Sequence, residues 1–241
     1  MLVKTWMSEP VITLEEEEPL IKAFQILKEF KIRRIPITKN GKLTGIITHT
    51  DIKAATPPKL GIPEFDEFFE MFSQLKVKDV MTRDPITVYP EDTIEKASIL
   101  MLENKISGLP VINPNKYVVG IITQTDIFKL FVNITGAYYS PYQITLFIDS
   151  TEEIVEILEV FKKFNIVIYS LLQWKDEFCY DSPCRRKVFV RFHGVDEKTL
   201  DELKSLLAEK FEILSFKKED IRNIPKKKTS SKDEEEISLF Y

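Results

Sequence analysis

Two cysteines and two histidines among 241 residues leave little material for metal or thiol chemistry. Two cysteines build no disulfide framework, so a cytoplasmic protein is expected. Four residues separate Cys179 from Cys184, with His193 further along. Zinc pairs are usually closer and need four ligands, so two plain thiols or a local disulfide compete ahead of a metal site. A surplus of positive charge is also missing. The net charge of −4 argues against a nucleic-acid partner, because a phosphate-binding face needs excess Lys and Arg. No apolar run reaches the roughly 18 residues that a membrane helix requires, so no membrane partner is expected. No Ser/His/Asp set, no paired acids beside other catalytic groups and no Gly-x4-Gly-Lys phosphate loop occur. The expectation is a protein that is not an enzyme.

What the chain has is a repeat. Gly-Ile-Ile-Thr-x-Thr-Asp stands at 45–51 and again at 120–126. Upstream, Met7-Ser8-Glu9-Pro10 corresponds to Met81-Thr82-Arg83-Asp84-Pro85, and residues 31–37 correspond to 105–111. The offset is 74 from Thr13 and becomes 75 after the loops at 39–42 and 113–117. One extra residue in a turn explains that step, and matches on both sides of it indicate duplication.

Each copy reads as extended piece, helix, strand, strand, helix. The extended pieces are expected at 11–14 and 86–89. The first helix of each copy carries an apolar stripe: Leu20, Ala23, Phe24, Leu27 and Phe30, then Ile94, Ala97, Met101 and Leu102. Pro19 suits the first turn of one, and Asp92 or Thr93 caps the other. Strands are expected at 34–38, 43–48, 109–113 and 118–123, with a second helix beginning at each Thr-x-x-Asp. The acidic run 15–18 reads as a solvated face that favours a helix N-terminus. Between the copies, 57–75 reads as a punctuated, then helical, linker with Phe65, Phe68, Phe69 and Phe72 on one face. A different pattern follows. Strands near 144–148, 166–174, 187–192 and 211–217 alternate with amphipathic helices at 151–164 and 196–210. That is the βαββαβ order of a ferredoxin-like unit. The last 21 residues, 221–241, are charge-blocked and read as a flexible tail.

Thr-x-x-Asp is first a capping box, in which the Thr hydroxyl and the acid satisfy the free N–H groups of a helix start. The same geometry can bind. Free N–H groups and a positive dipole end attract anions, a Thr hydroxyl can meet a phosphate oxygen, and a carboxylate can accept from both hydroxyls of a ribose.

The repeated Met-Ser/Thr opening, the apolar-Pro-apolar strand and the Gly-Ile-Ile-Thr-x-Thr-Asp phrase resemble two cystathionine-β-synthase (CBS) motifs, a Bateman module. The likeness covers residues 1–135, with repeats at about 1–56 and 76–135. The resemblance implies a pseudo-twofold β-α unit whose clefts take AMP, ADP, ATP or S-adenosylmethionine as regulatory ligands, with no cofactor required. Carried over, Asp51 and Asp126 are ribose-binding acids, and Thr48, Thr50, Thr123 and Thr125 line the phosphate side. Pro10, Val11 and Ile12, and Pro85, Ile86 and Thr87, meet the base. Arg33 and Arg34, and Ser107, Gly108 and Leu109, belong to the opposite wall. Because the first repeat carries Arg33-Arg34, the cleft at Asp51 is expected to suit phosphates, and the Gly-lined cleft at Asp126 a closely packed nucleoside. Residues 138–220 resemble an ACT domain, and the whole resembles the acetoin-utilisation protein B family. The turn at 149–152 lacks the Gly of amino-acid-binding ACT domains, so dimerisation is the competing role. The expected protein is therefore α+β: a tandem CBS pair of β-α-β-β-α type, then a ferredoxin-like ACT unit, acting as a homodimeric ligand sensor. The competing reading is a structural or dimerisation module with empty clefts.

Overall fold

A computed structural model describes residues 1–55, 73–175 and 185–219, with Ile221 and Pro225. The Phe-rich part of the linker, both cysteines and nearly all of the tail lie outside the described residues. The chain falls into two compact units, Met1–Leu130 and Phe131–Tyr241. Among the described residues no helix is long and apolar enough to cross a membrane.

In the first unit, β1 (Leu14–Glu15) leads to α1 (Leu20–Glu29), β2 (Arg34–Lys39), β3 (Lys42–Thr48) and α2 (His49–Ala54). A short helix α3 (Val77–Val80) and strand β4 (Thr82–Arg83) open the second copy, which continues as α4 (Ile94–Glu103), β5 (Gly108–Ile112), β6 (Val118–Thr123) and α5 (Gln124–Ile134), the last four residues of which fall in the second unit. The β2–β3 turn places Asn40 and Gly41 at positive φ, where Gly costs nothing and Asn is tolerated. β2 and β3 are antiparallel, as are β5 and β6, and both pairs slip register by one residue near the same apolar-Pro-apolar segment.

Each copy has its own core. Leu20, Ala23, Leu27, Ile35, Ile37 and Ile47 fill the first; Ile94, Ala97, Met101, Leu109, Val111 and Ile122 fill the second. A fully buried Leu such as Leu27 contributes about 2 kcal/mol by removal from water. The expected stripes run one turn too far. Phe30 caps α1 and is 52% exposed, and Leu102 is 71% exposed. Thr93 caps α4, accepting from the Lys96 N–H at 3.1 Å. The acidic run departs from the expected solvated face at one residue. Glu16 is only 8% exposed and pairs with Lys39 at 3.1 Å. Glu17 holds Lys76 and Lys78, each at 2.6 Å, which pulls its pKa down to about 2. Glu15 accepts from Thr38 Oγ1 and from the Asn40 and Gly41 amides of the turn.

The segments that open each copy pack on the other copy. β4 pairs with β3, matching Gly45 to Arg83 and Ile46 to Thr82, and Val77 and Met81 are buried in the first core. The N-terminus does the reverse. Val3 is buried in the second core, and Ser8 exchanges two backbone hydrogen bonds with Ile121. The repeated Met and Gly now have a common cause. A Cβ on Gly120 would overlap the Met7 thioether, and one on Gly45 would overlap that of Met81.

The second unit is a four-stranded antiparallel sheet of β7 (Tyr142–Ile148), β8 (Ile168–Lys175), β9 (Arg186–Phe192) and β10 (Ile213–Lys218), in the order β10-β7-β9-β8. Helices α6 (Glu152–Lys163) and α7 (Glu197–Lys210) follow the first and third strands. Ile157, Phe161, Leu200, Leu203 and Leu207 pack on Ile144, Leu146, Val188, Val190 and Phe192. Asp196 caps α7, accepting from the Thr199 N–H at 2.9 Å.

Candidate functional site

The two Thr-x-x-Asp segments form the same arrangement. Thr48 ends β3 in an extended conformation, and α2 begins at once. Its N–H donates to Asp51 Oδ2 at 2.7 Å, its hydroxyl donates to the same oxygen at 2.6 Å, and the Asp51 N–H points back at Thr48 Oγ1. At the start of α5, the Thr123 N–H and hydroxyl donate to Asp126 Oδ2 at 2.9 and 2.6 Å. The capping box is real at the first site, and its carboxylate half recurs at the second.

That arrangement restricts the chemistry. A hydroxyl has one proton to give, and here it goes to the carboxylate. Phosphate oxygens only accept, so Thr48 and Thr123 do not serve a phosphate while they hold the acids. Both hold Oδ2 of their acid. Asp126 is 8% exposed, and among the described residues no hydrogen bond reaches Oδ1 of either acid.

A cleft opens beside each acid, within the roughly 300–1,000 Å³ range of small-molecule sites. The first, about 450 Å³, brings Thr48 and Asp51 together with Pro85, Ile86, Ser107 and Gly108. The second, about 580 Å³, brings Thr123, Thr125 and Asp126 together with Pro10, Val11, Ile12 and Arg33. Each wall thus comes from the other repeat, which reverses the expected assignment. The basic wall faces Asp126, and the Ser-Gly wall faces Asp51. The cause is the crosswise packing of the openings, which carries Pro85 to β3 and Pro10 to β6. Arg34 and Ser107 line both clefts.

Three expected residues stand apart. Thr50 is exposed and Thr87 half-buried outside the cleft linings, and Leu109 is fully buried in the second core. Sequence reasoning missed Lys105, Asn104 and Asp84 in the first cleft, and Lys31, Phe128 and Lys129 in the second. The charges could have been found from the repeat alignment, since Lys31 and Lys105 hold equivalent positions. No cluster of His, Cys, Asp or Glu suited to a metal occurs among the described residues.

A family model of the CBS domain matches residues 3–57 and 77–133. A Methanocaldococcus jannaschii protein is 31% identical over 155 residues, which is 55% of this chain and 92% of the relative. The chain belongs to the CBS-domain family. A CBS domain-containing protein of Dictyostelium discoideum is 31% identical over 56% of this chain and 93% of its own length. Among solved structures, the CBS-domain pair of protein MJ0100, in complex with 5′-methylthioadenosine and S-adenosyl-L-methionine, is 33% identical. It covers 54% of this chain and 95% of that one, with a TM-score of 0.45. The three likenesses thus span little more than half of the chain, and the family-model match ends at residue 133.

Proposed function

We propose that the CBS pair is a regulatory sensor whose clefts take adenosine-type ligands: AMP, ADP, ATP or S-adenosylmethionine. The observation that carries this reading is the twin placement of a Thr-clamped carboxylate at the mouth of a helix start, in a cleft of nucleoside size. Each Oδ1 is positioned to accept from ribose hydroxyls. Pro10–Ile12 and Pro85–Ile86 offer backbone groups and apolar surface to a base. Arg33 and Arg34 supply the phosphate side that the threonines do not, since guanidinium groups donate to phosphate in pairs.

The C-terminal unit is, in this reading, ACT-like. Its strand order β10-β7-β9-β8, with a helix after the first and third strands, supports the ferredoxin-like split-βαβ arrangement. Together with the CBS pair it resembles the acetoin-utilisation protein B organisation. The unit dimerises the chain or passes the signal on: a ligand that binds one arrangement of the repeats better shifts the population toward it. The protein acts in the cytoplasm and catalyses nothing itself.

Calorimetry of the full chain against the four ligands, repeated with Asp51→Ala and Asp126→Ala, tests the reading. Binding of at least one ligand, lost site by site in the two variants, is expected. Absence of heat for every ligand removes the sensor. Binding unchanged in both variants removes the assignment of the acids.

A further inference from the structure

Arg34 and Gly108 are equivalent positions of the duplication, since the following Ile35-Pro36 matches Leu109-Pro110. Arg34 pairs with Thr48 across β2–β3, and Gly108 with Thr123 across β5–β6. The Arg34 side chain reaches over to the other repeat. One guanidinium nitrogen donates to Ser107 Oγ, and another would overlap a Cβ on Gly108. The asymmetry of sequence is therefore complementary in space. The glycine makes the room that its counterpart's side chain fills, and two arginines facing each other there would collide and repel.

The result is a guanidinium that lines both clefts, half-buried, with its pKa lowered by burial and by neighbouring Arg33. The clefts otherwise differ in charge. Apart from Arg34, the cleft at Asp51 has Lys105 set against Asp51 and Asp84. The cleft at Asp126 has Arg33 beside Asp126, with Lys31 and Lys129 also in its lining.

We propose that Arg34 couples the two clefts by serving only one phosphate at a time. This rests on the adenosine-ligand reading above. A phosphate-bearing ligand in the Asp126 cleft draws the guanidinium from Ser107 to itself. The Asp51 cleft is then left with two carboxylates and one lysine, and discriminates against a second anion. It remains open to an uncharged nucleoside. One pair thus holds one nucleotide tightly, and its second site sorts ligands by charge.

Calorimetry of the full chain with AMP and with adenosine tests this, using wild type and Arg34→Gln, which keeps an amide donor for Ser107. Wild type is expected to bind AMP in two events at least tenfold apart in Kd, or in a single event. Adenosine, which has no phosphate, is expected to fill two sites within about threefold. Arg34→Gln is expected to weaken the first AMP event about tenfold or more, the size of one charge-assisted hydrogen bond. It leaves any second AMP event and both adenosine events unchanged, so the gap closes. Two equal AMP sites in wild type, or a first event indifferent to Arg34→Gln, overturn the coupling while leaving the sensor in place. Failure of both AMP and adenosine to bind overturns the coupling, while the adenosine-ligand reading falls only if ADP, ATP and S-adenosylmethionine give no heat either.

Discussion

Val3 opens the first repeat in sequence but is fully buried in the core of the second, with Val88, Ala97 and Leu109. Val3→Ala should therefore loosen the distant copy. The substitution removes two carbons from a site with no exposure. At about 0.8 kcal/mol per buried carbon that is about 1.6 kcal/mol, and the incompletely collapsed cavity raises it to about 2 kcal/mol. The segment's backbone anchors remain: Val3 N–H to Asp92 O at 2.9 Å, and Lys4 N–H to Pro90 O at 3.0 Å. The loss is thus confined to packing. Native-state hydrogen exchange reads it directly, because about 2 kcal/mol corresponds to about thirtyfold faster opening. Amides of Val111 and Ile122 should accelerate by that order, while those of Ile35, Ile37 and Ile47 change little. Val77→Ala, equally buried in the first core, should give the mirror result. Equal acceleration in both copies, or a larger effect in the first, would falsify crosswise packing as an energetic unit.

Three further outcomes follow from the caps and charges. Asp126→Ala leaves the Thr123 N–H without its acceptor, and a cap is worth about 1 kcal/mol with a further 1–3 kcal/mol for a buried orphaned donor. A denaturant titration should therefore show a loss of about 2–4 kcal/mol, and Asp126→Asn, which retains an acceptor, should recover about half of it. Glu17 is depressed from 4.5 to about 2 by its hydrogen bonds to Lys76 and Lys78. A depressed acid stabilises above its unfolded pKa, and that contribution fades as pH falls from about 4.5 toward 2. The Glu17 carboxyl carbon resonance should have its midpoint near 2 in wild type and move up in the double variant Lys76→Ala, Lys78→Ala; an ordinary midpoint in wild type would sink the pairing. Gly108→Ala should displace the Arg34 guanidinium, detected as changed exchange of its side-chain N–H protons, whereas Gly136→Ala should leave them alone.

Much of the first unit was legible because its signals are local. Period-3.6 stripes, the Asn-Gly and Asn-Pro-Asn turns and the Thr-x-x-Asp caps act within a few residues, and duplication shows the stripes and caps twice. The misplacements are also local. Phe30 and Leu102 sit in or just past a last turn, where a helix has left the core, and periodicity alone does not mark where burial stops. The acidic run is solvated as expected except at Glu16, and nothing in four consecutive glutamates announces that Glu17 holds Lys76 and Lys78, some sixty positions away. The pairing of cap with wall was not legible at all. Tandem copies of one phrase permit each opening to fold on its own repeat or on the other, with the same residue types in contact either way. Only the register Ile46–Thr82 and the bridge Ser8–Ile121 decide, and with them which acid faces the arginines. The second unit's element order was visible for the same local reasons, while the role given to it rests on resemblance.

The methionine lying across the other repeat's glycine makes the two halves hostages to each other. A fragment ending within residues 56–72 would carry a first repeat without its β4 edge, together with an N-terminal strap that has nothing to hold. Its complement would lack that strap. Neither half is a finished fold, yet each carries the missing piece of the other, so separately expressed halves should assemble on mixing. The module is in effect a ready-made split protein, and its reassembly would depend on ligand wherever a ligand bridges the two copies.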